Sequence, residues 1–163
     1  MLWSLTTPIG AIPFVDARTN GFKNAFSGKT SLAEIPVSNL NDANRIKAIT
    51  ETELQKDPSI DAVFSIGSCC ISPMLEARHD LGDRGKSMHW GTIDVTDAAT
   101  DALKAGELDF ALNAQQYAQG YYPVVLLALY HRQAVIPATE MFITGPAVIN
   151  KGNVAKLLAL QAK

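Results

Sequence analysis

The feature that most constrains this chain is an alternation along its length. Short apolar, β-rich runs are separated by longer runs whose apolar residues recur at helical spacing. Strands are expected at Leu2 to Leu5, Ser31 to Val37, Ala62 to Ile66, Ser87 to Ile93 and Leu108 to Leu112. Pro36 keeps the second near an end or edge, because it has no N–H to give a ladder. Helices are expected from Phe14 to Phe26, with Gly28 stopping the run, and from a cap at Asn41 or Asp42 through Lys56, ended by Asp57-Pro58. A third, of about ten residues, follows Gly67-Ser68 and ends near Gly82. A fourth runs from a cap at Thr96 or Asp97 to Lys104, closed by Gly106, and a long one spans Gln116 to Gln133. In the long helix Val124, Leu127, Ala128 and Tyr130 are expected to supply the apolar face. The chain ends in an apolar run, Met141 to Ile149, and a short amphipathic helix.

Strands separated by helices are the mark of βαβ units. The expected fold is a doubly wound, flavodoxin-like parallel sheet of five to six strands with helices on both faces. The 163 residues suffice for one domain with its own core. No repeat or low-complexity linker divides them, so residues 1–163 read as a single α/β lobe.

Composition narrows the partners. Apolar residues make up 47% and charged residues 18%, with a net charge of −2 and no basic block, which argues against nucleic acid or an anionic membrane surface. The apolar stretch Tyr121 to Tyr130 is shorter than the ~20 residues a membrane helix needs, so no membrane insertion is expected. No charged n-region leads into an apolar h-region at the start, so no signal peptide is expected in the sequence as it stands. Cys69 and Cys70 are adjacent, and a bridge between neighbours closes a strained ring, so no disulfide framework is expected.

In an open α/β sheet, ligands meet the loops at the carboxyl ends of the strands. Those loops here carry Arg18, Ser68, Asp94, Asn113, Gln115 and Gln116. Directional donors and acceptors of this kind suit a neutral polyol, whose hydroxyls donate to a carboxylate while accepting from a guanidinium or amide. Each residue also has a plainer reading. Asp97, and less readily Asp94, which lies farther from the helix start, could serve as helix caps, Arg18 as a surface charge, and Gln115, Gln116 and Gln119 as a solvated helix start. Convergence on one rim is the argument for a site, and Arg18, Asp94 and Gln115 are expected to share it.

An enzyme is the rival reading. Gly67-Ser68-Cys69-Cys70 after a strand loosely matches a nucleophile elbow. The pattern's second glycine is absent, however, and the candidate bases His79, His89 and His131 fall at a helix's far end or inside other elements. The cysteines read better as small buried hydrophobes. The glycines form no phosphate-binding fingerprint, and no His, Cys or carboxylate group has metal-ligand spacing, so neither cofactor nor metal is expected.

With the motifs placed, the chain resembles the C-terminal lobe of the ribose-type (type 1) periplasmic sugar-binding proteins of ABC transporters. The resemblance rests on Asp16-Ala17-Arg18-Thr19-Asn20-Gly21-Phe22, Asp57-Pro58-Ser59-Ile60-Asp61-Ala62-Val63-Phe64, Gly91-Thr92-Ile93-Asp94-Val95-Thr96, Ala105-Gly106-Glu107-Leu108, Gln115-Gln116-Tyr117-Ala118-Gln119-Gly120-Tyr121 and Thr144-Gly145-Pro146. It implies a periplasmic, non-enzymatic substrate-binding component that holds a small carbohydrate or polyol and meets a transporter permease. It also implies that Arg18 bonds sugar hydroxyls, that Asp94 clamps a hydroxyl pair, and that Asn113 to Gln116 add an amide or carboxylate. The effector-sensing lobe of a sugar-responsive transcription regulator shares the fold and is the alternative. In the family two lobes close over the sugar, and the N-terminal lobe is not in this sequence. Residues 144–163 are then expected to return toward that lobe. Left without it, Phe142, Ile143, Val148, Ile149, Val154, Leu157, Leu158 and Leu160 are expected to drive a homodimer.

Overall fold

The computed structural model describes residues 1–27 and 29–161; Gly28, expected to stop the first helix, lies outside the described residues, as do the last two positions of the tail. The chain runs β1 (Leu2–Thr6), α1 (Pro13–Ala25), β2 (Thr30–Glu34), α2 (Ala43–Lys56), β3 (Ala62–Ser65), α3 (Ser68–Asp80), α4 (Gly82–Ser87), β4 (His89–Ile93), α5 (Asp97–Ala105), β5 (Phe110–Asn113), α6 (Gln116–Gln133), β6 (Ala147–Ile149) and α7 (Val154–Gln161). A single 3₁₀ turn, Val37–Asn39, leads into α2.

Six strands form one sheet in the order β2-β1-β3-β4-β5-β6. The first five are parallel, so their carboxyl ends share one edge. β6 runs antiparallel to β5, pairing Ala111 with Ile149 and Asn113 with Ala147. The doubly wound architecture read from the alternation is therefore present, with a mostly parallel sheet.

Strand residues alternate between two packed faces. Trp3, Leu5, Val63, Trp90 and Ala111 lie on the face that α2, α3, α5 and α7 cover with Ile46, Leu54, Ile71, Met74, Leu103 and Val154. Leu2, Phe64, Ile93, Phe110 and Leu112 lie on the other, against Phe22 of α1. Gly91 belongs to this second face, and a side chain there would strike the Phe110 ring, 2.6 Å from its Cζ.

Local chemistry fixes the helix starts. Pro13 opens α1, where its missing N–H costs nothing. Asp42 caps α2 by accepting from the Arg45 N–H at 3.0 Å. Thr96, rather than Asp97, caps α5 by accepting from the Ala99 N–H at 3.2 Å, and Gly106 closes that helix with φ +78°.

Several boundaries differ from expectation. β2 ends at Glu34, short of Pro36; Ser87 belongs to the extra short helix α4; and only Ala147–Ile149 of the apolar run 141–149 forms strand.

Two larger differences concern the C-terminal third. The tail was expected to lack support on this lobe, yet it docks there: β6 extends the sheet, and Ile149 and Val154 are buried. Asn153 fastens the junction, its side-chain oxygen accepting from the Asn150 N–H at 2.8 Å and its amide donating to the Val148 carbonyl at 3.0 Å. The physical reason is that β5 presents a free sheet edge, and an antiparallel strand satisfies it. The uncovered element is instead α6. None of its 18 residues is buried, and Val124, Leu127 and Tyr130 are 66%, 60% and 54% exposed.

Candidate functional site

The loops after β1, β3, β4 and β5 meet over the carboxyl edge of the sheet. They enclose a cavity of about 540 Å³ whose lining includes Phe14, Arg18, Ser68, Cys69, Asp94 and Gln116. Each polar group arrives there for a local reason. Arg18 lies one turn after Phe14 on α1, so the two share a face, and its guanidinium carbon sits 4.9 Å from the centre of the Phe14 ring. Arg18 Nη1 donates to the Ile66 carbonyl at 2.6 Å, which holds the guanidinium at the cavity wall.

Asp94 follows β4 in the left-handed region, with φ +76°. That conformation is uncommon outside glycine and costs on the order of 1–3 kcal/mol, so it persists only where surrounding contacts enforce it. The contacts are a 3.2 Å bond from the Ser68 N–H to Oδ2 and a 2.6 Å bond from the Gln116 side-chain amide to Oδ1. Asp94 is thus a cross-loop acceptor rather than a cap, because Thr96 caps α5. The point where a Cβ of Gly67 would stand is 3.6 Å from Arg18 Nη1 and 3.8 Å from Asp94 Oδ2. Guanidinium and carboxylate therefore flank the same loop.

Of the six residues singled out from the sequence, Arg18, Ser68, Asp94 and Gln116 come together. Asn113 and Gln115 do not. They line a neighbouring recess with Val95, Tyr117 and Leu160, and Asn113 Oδ1 is engaged by the Gln115 backbone N–H at 2.8 Å. The expected rim of Arg18, Asp94 and Gln115 is corrected to Arg18, Asp94 and Gln116. Gln116 lines both the cavity and the neighbouring recess, whereas Gln115, which precedes α6 with φ +57°, lines the recess alone. Phe14 and Gln119 also line the cavity and were not singled out as site residues. The spacing of Phe14 to Arg18, four residues on one helix, was the available signal for the first.

The thiols differ from each other. Cys69 lines the cavity, whereas Cys70 is buried behind it. The Cys70 thiol, with help from the Arg18 charge, draws the Cys69 pKa down to about 7; the same contact and burial push Cys70 up. The histidines lie elsewhere: His79 pairs with Glu107 at 3.0 Å and His89 with Asp109 at 3.1 Å. Both are exposed pairs, and neither histidine lines the cavity.

Residues 13–132 match the model of a periplasmic binding protein domain. The chain belongs to this family. It is similar in structure to a carbohydrate transporter from Acidothermus cellulolyticus solved with myo-inositol (25% identity, TM-score 0.79), covering 98% of this chain and 54% of that one. A solute-binding protein from Agrobacterium vitis bound to α-D-tagatopyranose is 24% identical at TM-score 0.76, covering 98% and 53%. A periplasmic ribose ABC transporter protein from Conexibacter woesei is 14% identical at TM-score 0.80, again covering 98% and 53%. No curated protein matches the chain. The chain thus spans about half the length of the solved proteins it matches. No described helix is long and apolar enough to cross a membrane.

Proposed function

We propose that this chain is one lobe of the sugar- or polyol-binding component of an ABC transporter, working in the periplasm as a binder and not as an enzyme. The observation that carries the reading is the convergence of Arg18, Asp94 and Gln116 on one cavity at the carboxyl edge of the sheet. Donor fork, carboxylate and amide on a concave surface with an aromatic ring beside them match the alternating donors and acceptors of a polyol. Solved relatives carry myo-inositol and tagatose, which supports a small neutral carbohydrate. Asp94 accepts from two ligand hydroxyls, Arg18 donates to them, and Phe14 offers an apolar face.

A second α/β lobe covers both this half-site and α6. Two facts support that: the related chains are about twice as long, and α6 has no cover on this lobe. The receptor so completed delivers its sugar to a permease. Calorimetry with myo-inositol, tagatose and ribose tests the reading, on this chain and on a version given the N-terminal lobe of the Acidothermus relative. Weak binding by the single lobe and much tighter binding by the two-lobed protein are expected, because affinity grows with enclosure. Asp94→Ala should cost on the order of 1.5–3 kcal/mol, roughly ten- to a hundredfold. Unchanged binding in that variant would return Asp94 to a purely structural role.

A further inference from the structure

Cys69 and Cys70 stand in the first turn of α3 with their sulfurs 3.0 Å apart. Neighbouring residues of a helix project about 100° apart, so sulfurs this close have both turned toward a common point. Cys69 is at the cavity wall beside Arg18, Ser68 and Asp94, with Cys70 directly behind. The separation is well beyond the ~2.05 Å of a disulfide. It fits two sulfurs sharing a third atom. At the ~2.3 Å bond length of a zinc thiolate, sulfurs at that spacing subtend roughly 80° at the shared centre, far from the tetrahedral angle zinc prefers. Among the described residues, moreover, no group of three or more His, Cys, Asp or Glu is placed to hold a metal ion. Trivalent arsenic differs on both counts. It bonds through p orbitals at nearly right angles, and with one organic substituent it needs only two sulfurs.

We propose that Cys69 and Cys70 form a dithiol site that captures monosubstituted trivalent arsenicals at the wall of the polyol cavity. The chemistry is a condensation. The Cys69 thiolate attacks the arsenic of R–As=O, and the Cys70 sulfur then displaces the oxygen. Two S–As bonds form, the arsenic–oxygen bond is lost, and the oxygen departs as water with the two thiol protons. Arsenic remains trivalent, so no oxidant or reductant takes part. The lowered pKa of Cys69 supplies an attacking thiolate near neutral pH, and the second sulfur is already in place for ring closure. The site needs no sugar, so it stands or falls independently of the carbohydrate reading.

Phenylarsine oxide is the probe, read by intact-mass spectrometry of the full chain in native buffer, with circular dichroism confirming the fold. One phenylarsenic unit per chain is expected, retained against excess monothiol and released by a dithiol such as dithiothreitol. Cys69→Ser and Cys70→Ser should each lose the monothiol-resistant adduct. Cys70→Ser should keep the wild-type circular dichroism spectrum and still be alkylated at Cys69 by iodoacetamide, which separates loss of the pair from loss of the fold and from loss of thiol reactivity. An adduct that washes off the wild-type chain with monothiol, or that survives in either single variant, overturns the proposal. So does alkylation of wild-type Cys69 without any arsenical adduct.

Discussion

Two helices of comparable apolar content meet opposite fates in this molecule. α3 buries Cys70, Ile71, Pro73, Met74, Leu75, Ala77 and Arg78 between the sheet and its neighbours, whereas α6, with the unbroken apolar run Val124 to Leu129, buries none of its residues. The difference lies in where each helix is sent. α3 leaves β3 through Gly67 and folds back across the sheet. α6 leaves β5 through the left-handed Gln115 and ends at the left-handed Ala134, so it projects from the body and returns only at β6. Apolar content records that a surface must be covered; it does not record by what.

The sharpest way to break the comparison is to truncate one leucine from each region. Leu103 of α5 is fully buried in the body, and Leu103→Ala should cost about 2–5 kcal/mol through lost burial and the cavity left behind. That corresponds to a fall of roughly 4–20 °C in thermal midpoint for a chain of this size. Leu127→Ala in α6 should fall within about 0.5 kcal/mol, as surface changes do. Equal losses from the two would mean that α6 is packed in solution.

A smaller effect sharpens the boundary between the regions. Val154 of the docked tail is buried, so Val154→Ala should destabilise by roughly 1–3 kcal/mol, less than the leucine because fewer atoms leave the core. A neutral result in chemical denaturation would place the tail with α6 among the uncovered elements. Association gives the complementary reading. The exposed face of α6, continued by Ile136, Met141, Phe142 and Ile143, is the surface through which a chain without its second lobe should pair with a copy of itself. Light scattering at micromolar concentration should therefore give about twice the 17.5 kDa chain mass. Leu127→Glu should return it to one chain, while deleting residues 150–163 should not. A wild-type mass of one chain, or dissolution by the tail deletion, would contradict this assignment.

Much of this was legible in the residues. The alternation of β-rich and helical runs carries the layer order, and Asp42, Thr96 and Gly106 mark helix ends through their own side-chain or backbone chemistry. Arg18, Ser68, Asp94 and Gln116 follow from the rule that parallel strands deliver their loops to one edge. Less visible was the backbone turn at Gln115 before α6, since a left-handed φ at a non-glycine residue leaves no trace in composition. The fates of α6 and of the tail were also exchanged. Both are apolar, and hydrophobic periodicity alone cannot tell a sheet edge that accepts a strand from a helix awaiting another lobe. The meeting of the two sulfurs depends on rotamers, which sequence does not specify.

The smallest expected effect is on acid stability, and it again divides the regions. In the body, Asp80 of α3 meets Lys47 of α2 at 2.5 Å, and Asp57 accepts from both the hydroxyl and the N–H of Ser59. The Lys47 contact holds the Asp80 carboxyl below its ordinary pKa, and the Ser59 bonds do the same for Asp57. A carboxyl whose pKa is lower folded than unfolded binds fewer protons in the native state. Its contribution is complete above the unfolded value of about 3.9 and disappears as pH falls through the lower folded value. Lys47 is shifted upward by the same pair, so its share is present throughout this acid range and would be lost only at strongly alkaline pH. α6 contains no carboxylate and contributes nothing to this window. Thermal midpoints should accordingly be flat from pH 7 to about 5 and decline below about 4, by less than Val154→Ala costs, because both carboxylates are exposed and solvent screens them. Asp80→Asn should flatten part of that decline and leave neutral-pH association through α6 unchanged. A decline that persists in full in a variant carrying Asp80→Asn with Asp57→Asn would remove the α2–α3 ion pair and the Asp57–Ser59 turn from the account of the acid-sensitive contacts.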